Sequence, residues 1–262
     1  MLLNSVVIVL REALEAALMI SILLALSRIL DMRVRWVAVA LVLGLLSAAL
    51  YGSSLSTISD LFDGVGQEVT NATMQYLVFA LLVYCLYRLS RNGQAGTVTL
   101  TVAMALAVML AIAREGSEIL VYVSGFLHSE DFFTSVAIGS TIGAIIGISV
   151  GVLFYYLLLA LPPGRALPTA GILLALVGAG MCAQATRLLI QADWLAASGP
   201  LWDTSGLLPE QSTVGQLLYA LVGYEATPTA AEVIAHAGSL MTMGLIFVAG
   251  RHLNRRRPGG LT

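Results

Sequence analysis

Arg11-Glu12-Ala13-Leu14-Glu15 and Arg114-Glu115-Gly116-Ser117-Glu118 are two copies of one phrase, Arg-Glu-x-x-Glu, each set inside a long apolar run, 2–26 and 98–127. Chance would produce this pattern about 0.015 times in a chain of this composition, so the repetition is signal. Ionised groups inside such runs are costly and mark functional sites by default. Carboxylates three apart on a helix share a face, so Glu12 with Glu15, and Glu115 with Glu118, each present paired oxygens. Arg11 stands four residues before Glu15 and Arg114 four before Glu118, which permits an ion pair within each copy and leaves Glu12 and Glu115 less neutralised. A structural ion pair would account for one such copy. Two copies, each with a surplus carboxylate that needs its own partner, point to an ion site.

Outward from these motifs the chain is 58% hydrophobic and 11% charged, with a mean hydropathy of +0.91. That composition describes a polytopic, all-α integral membrane protein rather than a water-soluble domain. Seven stretches are long enough to span a bilayer as helices: 2–26, 36–55, 72–89, 98–127, 133–161, 168–190 and 232–250. The first contains three charges by its middle, unlike a cleavable signal peptide, so the N-terminus reads as retained. Cys85 and Cys182 lie in apolar runs without metal-like spacing and read as core residues.

The connections alternate in sign. Arg28, Arg33, Arg35, Arg88, Arg91, Arg165, Arg251, Arg255, Arg256 and Arg257 fall on one side, ten of the 13 arginines. Asp60, Asp63, Glu68, Glu130, Asp131, Asp193, Asp203, Glu210 and Glu225 fall on the other. The positive-inside rule then sets the N-terminus outside and the C-terminus in the cytoplasm. Arg11, Arg114 and Arg187 are the exceptions. In this topology the first and fourth spans run in opposite directions, so helices 1–3 and 4–6 read as an inverted repeat with a seventh helix added. The corresponding segments are 1–92, 93–192, and 193–262 for the outer loop, last helix and basic tail. At about 1.5 Å per residue, Glu12 lies about 15 Å from Leu2 and Glu115 about 18 Å from Leu127, both near the middle of a core about 30 Å thick. Four carboxylates are therefore expected to converge at one level.

Around that level, Gly139, Gly143, Gly147 and Gly151 form a stripe suited to close helix packing. The run 214–222 is too short to span and reads either as a re-entrant segment over the outer mouth or as an amphipathic surface helix. Glu68, His128, Glu130 and Asp131 read as a solvated acidic surface or, more sharply, as an outer vestibule that attracts cations. His236, four residues after Glu232, is expected to hydrogen bond to it.

Glutamates are hard oxygen donors, which argues against copper(I) and is unlike a typical zinc site, leaving Fe(III), Mn(II), Mg(II) or Ca(II). Four glutamates and two arginines sum formally to −2, so a divalent ion would leave 0 and a trivalent ion +1.

The twin motifs, in the first and fourth of seven spans, resemble the paired Arg-Glu-x-x-Glu motifs of the ferric iron permease family of oxidase-dependent iron transporters. The segment Gly223-Tyr224-Glu225-Ala226-Thr227-Pro228-Thr229 is similar to that family's C-terminal region. The resemblance implies uptake of iron, as Fe3+, across the cytoplasmic (inner) membrane, with Glu12, Glu15, Glu115 and Glu118 as iron ligands, Arg11 and Arg114 as supporting ion pairs, and an outer-side partner that oxidises or delivers iron. Ala13 stands where the family often has Gly, and Asn71 stands where a second acidic residue would accompany Glu68. The alternatives are transport of another hard or divalent cation, or an intramembrane lipid-phosphate enzyme. Against the latter, Pro163-Gly164-Arg165 does not continue into a phosphate loop, and no nucleotide loop, HExxH or serine elbow is present. The reading is a permease rather than an enzyme, with iron and lipid as partners, no separate cofactor and no nucleic acid.

Overall fold

The computed structural model describes the backbone of residues 1–90, 98–127 and 129–255, and the side chains of all of these except 130, 131, 163 and 251–255. Among the described residues the fold is all-helical: α1 (Leu2–Ile29), α2 (Arg35–Ser53), α3 (Leu55–Ser59), α4 (Gly66–Ser90), α5 (Val98–Ser124), α6 (Glu130–Ala160), α7 (Pro163–Gln191), α8 (Thr213–Val222) and α9 (Ala230–Arg255). Six helices are long and apolar enough to cross a membrane: α2, α4, α5, α6, α7 and α9. The 28-residue α1 is as long but carries Arg11, Glu12 and Glu15 in its middle.

Two helix starts differ from the sequence expectation by five residues or more. α4 starts at Gly66, six residues early, because a residue without Cβ lets its first turn lie against the Ile58 carbonyl of α3. Glu68 is thereby in a helical first turn, where a negative charge suits the helix dipole, rather than in a loop. α7 starts at Pro163, a first-turn position that needs no N–H, so Pro168 falls inside the helix.

One apolar cluster joins Met19, Ile22, Leu23 and Leu26 after the first motif to Met104, Ala107 and Val108 before the second, with Leu82, Leu86 and Leu174. The residues after one motif meet those before the other, so α1 and α5 are antiparallel. Exposure inverts the rule for water-soluble proteins: Glu115 is 2% exposed, whereas Leu46 on α2 and Ile145 on α6 are 63% and 59% exposed. Apolar outside and charged inside is the pattern of a lipid-facing bundle.

Small residues hold each motif helix against one neighbour. On α6, a Cβ at Gly143 would come within 2.5 Å of the Val6 carbonyl oxygen, and one at Gly147 within 2.9 Å of Ala13 Cβ. α2 does the same to α5, where a Cβ at Gly44 would meet Ile112 Cβ at 2.8 Å and one at Gly116 would meet Ala48 Cβ at 3.0 Å. The third residue of each motif, Ala13 or Gly116, is therefore the one facing a small-residue helix, which accounts for its size in both copies. α8 packs on α1 and α7. It ends at Gly223 (φ +65°), which abuts Gly180 so closely that a side chain there would strike α7.

Replacing Gly147 by Leu is expected to force α1 from α6 and to destabilise the purified protein by about 1–3 kcal/mol or more in thermal unfolding. Gly164→Ala, where a Cβ meets nothing within 4 Å, is expected to unfold like the wild type.

Candidate metal centre

The motif helices bring three glutamates together across their contact. Ligand oxygens of Glu12 from α1 and of Glu115 and Glu118 from α5 lie within 4.8 Å of one another. The Oε2 atoms of Glu12 and Glu115 are buried without a hydrogen-bond partner among the described residues. Buried oxygens of this kind are costly unless a cation or water takes them up.

The fourth glutamate, Glu15, is held differently. It accepts from Gln184 Nε2 at 3.1 Å and faces Arg11 Nε at 3.5 Å and Arg114 Nη1 at 3.8 Å. Arg114 also reaches Glu115 Oε1 at 2.6 Å and Glu118 Oε1 at 3.3 Å. Spacing alone paired each arginine with the glutamate four residues on. Packing adds the adjacent Glu115 to Arg114, so Glu115 is not the less neutralised carboxylate that the spacing suggested.

The two arginines have different surroundings. Arg114 is 8% exposed between the two motifs. Arg11, its counterpart, lies under the Tyr219 ring of α8, 3.8 Å from the ring centroid. The run 214–222 thus forms a helix that covers the motif level from α1 to α7, and Gln216 Nε2 donates to the Val7 carbonyl at 3.4 Å. The loop around α8 is tied down by Arg187, the third arginine outside the charge pattern, which pairs with Glu225 and lies 3.5 Å from Glu232. Glu232 accepts from Thr229 N and Oγ1, whereas His236 Nδ1 is buried without a partner among the described residues, so the expected Glu232 to His236 bond gives way to a helix cap.

Two cavities meet at Glu118. One of about 370 Å³ is lined by Tyr51, Glu68, Asn71, Ser117, Glu118 and Tyr122. The other, of about 260 Å³, is lined by Arg11, Glu12, Arg114, Glu118, Gln184 and Arg187. Both also touch Leu188 and Gln191. Of the four expected vestibule residues, Glu68 lines the first cavity. Glu130 and Asp131 begin α6, with side chains outside the described set, and His128 lies outside the described residues.

Sequence reasoning passed over Asn71, Gln75, Gln184 and Tyr219 as site residues. Asn71 Nδ2 donates to Glu118 Oε1 at 3.2 Å and Gln75 Nε2 donates to Gln184 Oε1 at 2.6 Å. Buried amides in apolar runs were the available signal.

The chain is similar to proteins named ferrous iron permease EfeU. That of Escherichia coli O6:H1 is 29% identical over 249 residues, 86% of this chain and 88% of the relative. That of Yersinia pestis is 28% identical over 264 residues, 92% and 91% respectively. No solved structure matches the chain. The model of the iron permease FTR1 family matches residues 2–253, nearly the whole chain, and the resemblance carried by the twin motifs holds: this protein belongs to the iron permease FTR1 family.

Proposed function

We propose that the protein imports iron across the cytoplasmic membrane, and that Glu12, Glu115 and Glu118 receive the ion while Glu15, beside them, completes the set of four. The observation that carries this is the meeting of three motif carboxylates from antiparallel helices within 4.8 Å, with buried unpartnered oxygens on Glu12 and Glu115. An all-oxygen pocket suits iron and other hard cations. Arg11 and Arg114 hold the surplus charge. The cavity with Glu68 supports an outer vestibule leading to Glu118.

Family resemblance alone points to Fe3+. Burial of the site favours the ion that cancels its formal −2, and the relatives are named as ferrous permeases, so Fe2+ is the species we favour. A partner on the outer side that oxidises or delivers iron remains part of the proposal on the strength of the resemblance. Manganese is the second reading, since the oxygen donors do not discriminate against it.

We further propose seven spans, α1 included, with the N-terminus outside. The helix pairings support an inverted repeat. Exchanging α1, α2 and α4 with α5, α6 and α7 converts the α1 to α6 packing into the α5 to α2 packing and leaves the α4 to α7 packing in place.

In proteoliposomes, uptake of radiolabelled iron is expected with Fe2+ held reduced by ascorbate. Glu12→Gln, Glu115→Gln and Glu118→Gln are each expected to lower it at least about tenfold, the lower end of what losing even a supporting contact to a metal ligand costs. Uptake of ferric citrate but not Fe2+ would reverse the oxidation-state assignment, and preference for Mn2+ over both would replace iron.

Topology is tested with single cysteines, because Cys85 and Cys182 are buried. A membrane-impermeant maleimide added outside should label Asp60→Cys and Asp203→Cys and miss Arg33→Cys. The reverse pattern refutes the orientation.

A further inference from the structure

The last glutamates of the two motifs have corresponding neighbours. Asn71, on α4, donates to Glu118 on α5. Gln184, on α7, donates to Glu15 on α1. α4 and α7 are the third helices of the two proposed repeats, so each third helix extends a carboxamide to the last motif glutamate of the other repeat.

Both amides are oriented by a second donor. Tyr51 Oη donates to Asn71 Oδ1 at 2.8 Å, and Gln75 Nε2 donates to Gln184 Oε1 at 2.6 Å. With its oxygen occupied, each amide turns its N–H toward the carboxylate. Asn71, Gln75 and Gln184 are 2%, 2% and 7% exposed, so water competes poorly for these bonds. The chemistry suits a cation site. An amide N–H fixes one carboxylate oxygen without adding charge, whereas a further arginine would cancel charge that the ion needs and a further acid would add some.

We infer that Asn71 and Gln184 are paired positioning residues, each locking the last glutamate of one motif so that the carboxylates present a preformed site to the ion. The inference rests on the iron-site reading above. Glu118 shows its consequence most directly. It borders both cavities, and its Oε1 takes both the Asn71 amide and Arg114 Nη2, the latter 3.3 Å away. Without the amide, Arg114 is its remaining holder and the carboxylate turns toward the guanidinium, away from an incoming ion.

The test is the concentration dependence of Fe2+ uptake by proteoliposomes, normalised to folded protein, for Asn71→Leu, Gln184→Leu and the isosteric Asn71→Asp and Gln184→Glu. Each is expected to raise KM about tenfold or more, the usual cost of losing the partner of a metal ligand, with Vmax changed less than KM. Tyr51→Phe and Gln75→Leu are expected to raise it by a smaller factor, since the amides are then free to turn over. Wild-type KM in the leucine variants, or loss of Vmax alone, overturns the inference, as does wild-type KM in the acids, which keep the shape but replace the amide donor with a carboxylate. Absence of iron uptake by the wild type would instead remove the functional reading on which it rests.

Discussion

The guanidinium of Arg114 is the interaction on which the rest of the centre depends. Four glutamates are drawn between two apolar helices, three of them 8% exposed or less, and like charges at that depth cannot be held together without a counter-charge. Arg114 touches Glu115 and Glu118 of its own helix and Glu15 of the other, so one planar cation bridges both motifs. Its removal would strand buried carboxylates, a change that costs about 3–5 kcal/mol in comparable buried pairs. Arg11 occupies the same place in its motif yet lies at the rim, with a side chain 35% exposed under Tyr219. The sequence repeat is symmetric and the charge arrangement is not. A buried arginine ties the centre together and a peripheral one sits where α8 covers it.

This arrangement requires the motif helices to be placed accurately, and the small residues do that. Gly143 and Gly147 on α6 let the α1 backbone approach, and Gly44 and Ala48 on α2 let Ile112 and Gly116 of α5 approach closely. The same faces pass through Ala13 and Gly116, so the close packing occurs within the motifs themselves. Carboxylates on one face of each helix and a smooth contact on another leave little freedom to rotate.

Much of this was legible in the sequence. Five residues repeated in two apolar runs, their spacing and their depth were enough to anticipate that carboxylates from antiparallel helices would meet. The length of the apolar runs located the long helices, because lipid-facing helices need only apolar length. What the sequence concealed were contacts between distant residues. That Glu15, beside the other three glutamates, would be held by Gln184 depends on how α1 meets α7, and Asn71 reads as a missing acid until its amide is seen against Glu118. Spacing reports one helix at a time, and so it missed the hold of Arg114 on the opposite motif. The early start of α4 was missed because Gln67, Glu68, Thr70 and Asn71 fall outside the apolar run, whereas Gly66 is what allows the helix to begin against α3.

The central claim is that an iron ion is bound directly by glutamates from both motifs. Anomalous scattering at the iron edge from the metal-loaded protein tests it most directly. The account predicts a peak within direct bonding distance, about 2–2.6 Å, of carboxylate oxygens of Glu12 and of Glu115 or Glu118. A peak lodged only at the vestibule or in the outer loop, with the motif glutamates still bonded solely to protein, would contradict it.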